Sequence, residues 1–320
     1  MDRPGAVAGL RTALAGFAAT WLADAQSWCV ALSGGPDSLA LTAAAAATLP
    51  TTALIVDHGL QADSEAVASA AADQAMKLGC MRAQILRVQV GDAGGPEAAA
   101  RAARYAALDT AREDAPVLLG HTLDDQAETV LLGLGRGSGA RSIAGMRPSN
   151  PPWFRPLLGT PRSLTHAVCA ELGLVAWNDP HNLDPRFTRV RLRTEVLPLL
   201  EEVLGGGVAE ALARTASALR EDTDTLDALA AQDLSTARSD DGLRVVAIQD
   251  LTPALRRRVI RAWLLTGGAS GLTDTQIRAV DALVTQWRGQ GGVAVGSRVP
   301  YLRLFAERRG ATLLLRHKPV

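Results

Sequence analysis

A short glycine loop holds the residues of this sequence that are best suited to chemistry. An apolar, strand-like run is followed by SGGPDS, Ser33 to Ser38, and then by an alanine-rich helical stretch. Gly34 and Gly35 let the backbone approach an anion closely. Pro36 suits the first turn of a helix, whose free N–H groups bind phosphate. The loop therefore predicts a phosphate cradle.

This loop lacks the lysine of a Walker A motif, which reaches the outer phosphates of a nucleotide that loses its terminal phosphate. Ser33 and Ser38 add hydroxyl donors, whereas Asp37 places a carboxylate among phosphates, which calls for Mg²⁺ between them. The pattern suits a pyrophosphate held as leaving group, with Asp37 as the Mg²⁺ ligand. The alternative is an ordinary serine-capped turn. It is disfavoured because the loop follows a strand of a predicted parallel sheet, where such folds bind ligands.

A second group of ionisable residues begins the helix predicted after PVLLG. The group consists of His121, Asp124, Asp125 and Glu128, whose spacings of three, four and seven place them on one helical face. Three interpretations are open: a solvated helix face, a divalent-metal site, or a cluster that binds an ammonium group and removes its proton. Because the group lies at the same predicted sheet edge as the glycine loop, we favour a functional role.

The elements that position these residues are strands and helices in alternation. Short β-rich runs separated by helical stretches are typical of βαβ units, so we predict an α/β fold with a parallel sheet. We predict a nucleotide-binding catalytic domain over residues 1–205, a connector helix over 206–235, and a smaller, mainly helical C-terminal domain over 236–320.

The composition limits the partners and the compartment. Lys+Arg and Asp+Glu both total 33 in 320 residues, so the net charge is zero and an anionic partner must be held by local clusters. Cys29, Cys80 and Cys169 are odd in number and widely spaced, which argues against a disulfide scaffold and favours a cytoplasmic location. The sequence has no apolar run of about 18 residues that could span a membrane.

Several motifs resemble a known family. SGGPDS resembles the SGGxDS PP-loop of the ATP pyrophosphatases, which cleave ATP between the α and β phosphates to adenylate an oxygen. Within that group, GHTLDDQAET and RGSGARSIAGM resemble segments of the tRNA(Ile)-lysidine synthetases. VDHGLQADSEA, EAAARAARYAAL and NDPHNLDPRFTRVRLRTEVLPLL follow in that family's order. The resemblance covers residues 1–205 and, more loosely, the C-terminal domain.

The resemblance implies an ATP-dependent ligase with ATP and Mg²⁺ as cofactors. The oxygen on carbon 2 of the wobble cytidine in a CAU-anticodon tRNA(Ile) would attack the α-phosphate of ATP, and pyrophosphate would leave. Free L-lysine would then displace AMP through its side-chain amine and give lysidine. A homodimer is left open, and no membrane partner is implied.

The resemblance also implies roles for single residues. ATP would be bound by Ser33, Gly34, Gly35, Pro36, Asp37 and Ser38. The catalytic residues would be Asp37, His121, Asp125, Glu128, Arg101 and Arg193, with a base among the acidic and histidine side chains and the arginines offsetting phosphate charge. For Arg104 and Arg186 a solvated helix face is equally favoured.

Two positions depart from the family pattern, since Gln61 replaces an arginine and Val190 replaces an asparagine. In the C-terminal domain, LRRRVIRAW places Arg256, Arg257, Arg258 and Arg261 on one helix, where they either contact tRNA or form the solvated face of a packed helix.

The sequence disfavours two other functions. A PP-loop tRNA cytidine thiolase would need cysteines that carry a persulfide or a cluster. A non-catalytic nucleotide-sensing protein would have no need for His121, Asp125 and Glu128 together.

Overall fold

The computed structural model describes residues 5–59, 63–91, 95–137, 139–299 and 301–319. The chain forms two compact units. The first comprises Met1–Leu132 and Gly145–Thr215, and the second Gly133–Ala144 and Ala216–Val320. Gln61 lies outside the described residues.

In chain order the helices are α1 (Ala6–Trp21), α2 (Pro36–Ala46), α3 (Ser64–Lys77), α4 (Pro96–Ala111), α5 (Leu123–Gly135), α6 (Ala140–Ile143), α7 (Arg162–Glu171), α8 (Thr188–Arg191), α9 (Leu197–Leu204), α10 (Val208–Ala237), α11 (Pro253–Thr266) and α12 (Asp274–Thr285). The strands are β1 (Trp28–Ala31), β2 (Thr51–Asp57), β3 (Arg82–Arg87), β4 (Val117–Leu119), β5 (Ser149–Asn150), β6 (Trp153–Phe154), β7 (Arg238–Ser239), β8 (Gly242–Arg244), β9 (Val293–Val295), β10 (Leu302–Arg309) and β11 (Thr312–Pro319). A π-helical turn, Leu192–Val196, joins α8 to α9.

The first unit contains a six-stranded sheet in the order β3-β2-β1-β4-β6-β5. All neighbouring strands are parallel except the edge pair β5–β6. The predicted α/β fold with a parallel sheet is therefore confirmed. Because β1, β2 and β4 run in the same direction, the residues that follow them meet at one edge of the sheet.

Helices cover both faces of this sheet. On one face α1, α2 and α7 bury Leu10, Leu14, Leu39 and Val168 against the strands. On the other face α4 contributes the fully buried Leu108. Helix α2 is rich in alanine and leucine on all sides, which suits a helix buried between other elements. The core thus fixes the position of α2, whose first turn includes the last residues of the glycine loop.

The second unit has a five-stranded antiparallel sheet in the order β7-β8-β11-β10-β9, with a core that includes Ile260, Trp263, Val280 and Leu304. The predicted connector corresponds to α10, whose C-terminal part also packs into this core through Ala230. The compact units divide at Thr215 rather than at 205, and Gly133–Ala144 belongs to the second unit. The functional division of the chain stays a prediction. No helix among the described ranges is long and apolar enough to cross a membrane.

Candidate active site

The glycine loop forms a tight turn at the carboxyl end of β1. Gly34 has a φ of 82°, which favours glycine, and its carbonyl accepts the Trp177 N–H at 2.9 Å. The Ser38 hydroxyl oxygen accepts the Ser33 N–H at 3.2 Å and donates to the Gly35 carbonyl at 2.9 Å. The serines therefore hold the loop in shape, while the N–H groups of the first turn of α2 lack partners within the helix. Such groups can bind phosphate oxygens.

A cavity of about 280 Å³ opens beside this loop at the ends of β1 and β2. Apolar side chains such as Leu54, Val67 and Leu108 line much of it, and Ser33 and Arg104 lie at its polar parts. An apolar pocket that borders a turn predicted to bind phosphate suits a nucleoside.

Arg101 and Arg104 have different surroundings in the structure. Arg104 lines the cavity, and burial lowers the pKa of its guanidinium. Arg101 is exposed, and its guanidinium lies 4.9 Å from the centre of the Tyr105 ring. It is still close enough to His121 to affect the pKa of that imidazole. Arg104 therefore lies on the side of α4 that faces the cavity. Arg101, the residue predicted to be catalytic, is not part of the described lining.

Three predicted acidic side chains converge on a guanidinium that the sequence did not predict. Arg162 lies 3.3 Å from Asp37, 2.7 Å from Asp125 and 3.7 Å from Glu128. Arg193, in the π-helical turn, donates through Nε to Glu128 at 2.8 Å and lies 3.4 Å from Asp125. The structure thus brings Asp37, Asp125, Glu128 and Arg193 into one cluster.

The buried carboxyl group of Glu128 is paired with several arginines of the cluster. Its side chain is fully buried, and a buried charge is costly unless it is paired. Besides Arg162 and Arg193, Arg189 reaches it at 3.5 Å. Arg186 does not take part, because its exposed guanidinium pairs with Asp184.

Asp125 and Asp37 have shifted pKa values of opposite direction. Burial opposes ionisation of Asp125, but Arg162 and the Thr122 N–H outweigh it and lower its pKa. For Asp37 burial prevails over Thr165 and Arg162 and raises the pKa. Asp125 is therefore held as an anion and is a weak proton acceptor at neutral pH.

His121 differs from its acidic neighbours because it lies in no ion pair among the described residues. Burial lowers its pKa to about 4, although Asp125 opposes this. Its Nδ1 is buried and has no hydrogen-bond partner within the described part of the chain. The imidazole is therefore neutral at pH 7 and has an unused nitrogen.

The donors around Asp37 suit a divalent cation only together with a nucleotide. The described ranges hold no group of three or more His, Cys, Asp or Glu that could bind a metal alone. Mg²⁺ at nucleotide sites instead takes one or two carboxylates together with phosphate oxygens, and Asp37 beside the cradle supplies such a carboxylate. In this structure its oxygens contact the Thr165 hydroxyl and Arg162. The residues fit Mg²⁺ at Asp37 when ATP supplies further ligands, and the ion would there neutralise phosphate charge.

Sequence reasoning missed Arg162 and Thr165, which both lie in the first turn of α7. One signal was available: α7 begins with an arginine and has no acidic residue in its first turn, although a cation is disfavoured at the positive end of a helix. Asp124 accepts the Arg162 N–H at 2.8 Å. Asp124 therefore fixes the start of α7. Val190, the second departure from the family pattern, is buried.

Comparisons with known proteins decide the family. A PP-loop domain model matches residues 10–200, and a TilS substrate binding domain model matches 243–308. The tRNA(Ile)-lysidine synthase of Mycolicibacterium paratuberculosis is 68% identical over 320 residues, with all of both chains covered. That of Rhodococcus erythropolis is 63% identical over 287 residues, covering 89% of this chain and 88% of the other. The chain belongs to the tRNA(Ile)-lysidine synthase family. As a member of that family it is an ATP-using, tRNA-modifying ligase with a PP-loop domain.

A solved relative shares the fold. The U34-tRNA thiolase NcsA from Methanococcus maripaludis with its 4Fe-4S cluster aligns with a TM-score of 0.55 and 17% identity, over 68% of this chain and 80% of that chain. The thiolase alternative is not favoured for a member of the tRNA(Ile)-lysidine synthase family. Cys29, Cys80 and Cys169 are free and buried, and burial raises the pKa of Cys29 and of Cys80 to about 11. Such thiols are poor nucleophiles and ligands, because the thiolate is the reactive form.

Proposed function

We propose that this chain joins the side-chain amine of free L-lysine to carbon 2 of the wobble cytidine in CAU-anticodon tRNA(Ile), with ATP and Mg²⁺. One observation carries the proposal: the cluster of Asp37, Asp125, Glu128 and arginines lies directly beside the glycine loop that is predicted to bind phosphate. A leaving pyrophosphate and an incoming ammonium group need these two environments next to each other.

In the first step the cytidine oxygen on carbon 2 forms a bond to the α-phosphorus of ATP, and the bond to the bridging oxygen breaks as pyrophosphate leaves. The residues from Ser33 to Ser38 bind the pyrophosphate through backbone N–H groups and hydroxyls. The nucleoside occupies the cavity lined by Leu54, Val67 and Arg104. The arginines predicted for this role, Arg101, Arg104 and Arg193, offset the charge that develops on phosphate.

In the second step the lysine amine forms a bond to carbon 2, the bond from carbon 2 to oxygen breaks, and AMP leaves with that oxygen. Asp125 is held as an anion and, together with Glu128, attracts the lysine ammonium group. The proton that the amine loses goes to a base among Asp125, Glu128 and His121, and the buried Nδ1 of His121 has no hydrogen-bond partner among the described residues.

The second unit offers a surface for the tRNA backbone. A cavity of about 680 Å³ there is lined by Arg136, Arg141, Arg257, Arg258 and Arg261. Arg141 and Arg258 share Asp227, whereas Arg261 forms no salt bridge within the described ranges. Burial and the nearby Arg141 lower the pKa of Arg261, which shows how closely these charges are placed. Five arginines and one acidic residue, Asp274, line the described part of this cavity, and such a lining suits phosphate oxygens.

Arg256, predicted together with its helix neighbours, has another role. Its side chain is buried and pairs with Asp281, and it also donates to the Leu251 carbonyl. Arg256 therefore belongs to the packed side of α11, and we assign tRNA contact to Arg257, Arg258 and Arg261.

The test measures both steps separately. A tRNA(Ile) transcript with a CAU anticodon is incubated with ATP and Mg²⁺, with and without L-lysine, and a transcript with uridine at the wobble position serves as control. We expect pyrophosphate–ATP exchange that requires the CAU transcript and no lysine, and AMP release that requires lysine. Exchange without RNA would contradict the proposal, because the group that becomes adenylated would then not be the cytidine.

A further inference from the structure

The guanidinium of Arg162 lies where three carboxylates from two helices meet. Asp37 comes from α2, and Asp125 and Glu128 come from α5. The most exposed of these carboxylates, Asp37, is only 21% exposed, and Arg162 itself is 16% exposed. At this depth like charges repel strongly, and Arg162 is the arginine that contacts all three carboxylates and so helps to keep them together.

Local helix preferences do not favour an arginine at this place. Arg162 is the first residue of α7, at the positive end of the helix dipole. Its backbone N–H is held by Asp124 at 2.8 Å, which fixes the direction of the helix. The contacts with the carboxylates therefore offset an unfavourable local position, and the site itself explains the residue.

Of the two hydrogen bonds that Arg162 donates to Asp37 and Asp125, the one to Asp37 is the easier to give up. The bond from Arg162 Nε to Asp37 Oδ2 is 3.3 Å, whereas the bond from Nη2 to Asp125 Oδ1 is 2.7 Å. The other Asp37 oxygen accepts from the Thr165 hydroxyl, whose oxygen also lies 2.8 Å from the Arg162 carbonyl. A hydroxyl has one proton, so it serves one acceptor at a time. If Asp37 turns to another cation, Arg162 keeps Asp125 and Thr165 keeps the carbonyl.

We infer that Arg162 is a positioning residue that competes with the divalent cation of ATP for Asp37. The inference rests on the proposed role of Asp37 as a cation ligand. A cation that binds Asp37 Oδ2 competes with the Arg162 Nε–H for that oxygen, so a stronger contact between Arg162 and Asp37 weakens cation binding. Only a cation that brings further ligands, as the phosphates of ATP do, overcomes this competition. Arg162 thereby couples the entry of the cation to that of the nucleotide.

The experiment uses Mn²⁺ as the probe and the full chain, without tRNA or lysine. Mn²⁺ is titrated in the presence of saturating α,β-methylene-ATP, and water-proton relaxation reports protein-bound Mn²⁺. We compare the parent with Arg162→Gln, Arg162→Lys and Asp37→Asn. Arg191→Gln is the matched control, because Arg191 is an exposed helix arginine that pairs only with Glu195 among the described residues.

We expect Arg162→Gln to bind Mn²⁺ at least about tenfold more tightly than the parent, because a charge-assisted contact with Asp37 no longer competes. Arg162→Lys keeps the positive charge but lacks the planar guanidinium, so its affinity for Mn²⁺ should lie between those of the parent and Arg162→Gln. Arg191→Gln should match the parent. A role of Arg162 in folding alone would lower the melting temperature and would not tighten Mn²⁺ binding.

Unchanged or weaker Mn²⁺ binding by folded Arg162→Gln overturns the inference. If Arg162→Gln does not fold, Arg162→Lys decides in the same way, with tighter binding as support and equal or weaker binding as refutation. Equal Mn²⁺ binding by the parent and Asp37→Asn would overturn the cation role of Asp37 and this inference with it. Failure to form lysidine while the Mn²⁺ results hold would count against the proposed function alone.

Discussion

Glu128→Gln removes the central negative charge of the arginine cluster. The Glu128 side chain is fully buried and lies within 3.7 Å of Arg162, 3.5 Å of Arg189 and 2.8 Å of Arg193. Removing one partner from a buried ion pair costs about 3–5 kcal/mol. Glutamine still accepts a hydrogen bond from Arg193, so we expect a loss near the lower end, about 3 kcal/mol. At about 2–4 °C per kcal/mol, the melting temperature should fall by about 6–12 °C.

Thermal unfolding followed by circular dichroism measures this change. Glu195→Gln is the control, because it removes the same charge from an exposed helix pair with Arg191, and it should leave the melting temperature unchanged. If Glu128→Gln melted within about 1 °C of the parent, the cluster would not be an ion-paired core of the site, and the argument from burial would be refuted.

Three further predictions concern the site and the tRNA surface. Asp37→Asn should lower pyrophosphate release at least about 100-fold while the melting temperature stays close to that of the parent, since asparagine still accepts from Thr165. Burial lowers the pKa of His121 to about 4 from 6.5, so the unfolded chain takes up this proton first as the pH falls, and stability is lost between these values. The melting temperature of His121→Asn should therefore fall less than that of the parent between about pH 7 and about pH 5. Arg261→Ala should weaken tRNA binding and reduce the salt slope by about 1 in a filter-binding assay, whereas Arg278→Ala, which removes an exposed arginine paired with Asp274, should not.

Local chemistry made the glycine loop and the sheet predictable. The residues from Ser33 to Ser38 are adjacent in the chain, so their types alone indicate a turn at the start of a helix. The strands of the first unit alternate with helices in the sequence, and a parallel sheet follows from that order. Asp125 and Glu128 are three residues apart on one helix, which already places them side by side.

Long-range packing explains what the sequence did not reveal. Arg162 is 125 residues from Asp37 in the chain, and only the packing of α7 against α2 brings them together. Arg101 and Arg104 lie three apart on α4, and no local pattern shows which of them faces the cavity. The rotation of α4 is set by Leu108, which packs on the sheet. In the second unit, β7, β8 and β9 are two or three residues long, too short for a periodic pattern.

The path of one oxygen atom tests the proposed reaction most directly. A CAU-anticodon tRNA(Ile) with oxygen-18 on carbon 2 of the wobble cytidine is incubated with the protein, ATP, Mg²⁺ and L-lysine, and the products are analysed by mass spectrometry. If the cytidine oxygen attacks the α-phosphate and lysine then breaks the carbon–oxygen bond, the label appears in AMP and the nucleoside gains one lysine. Label that stays in the tRNA, or AMP without label, would contradict the proposed adenylated intermediate.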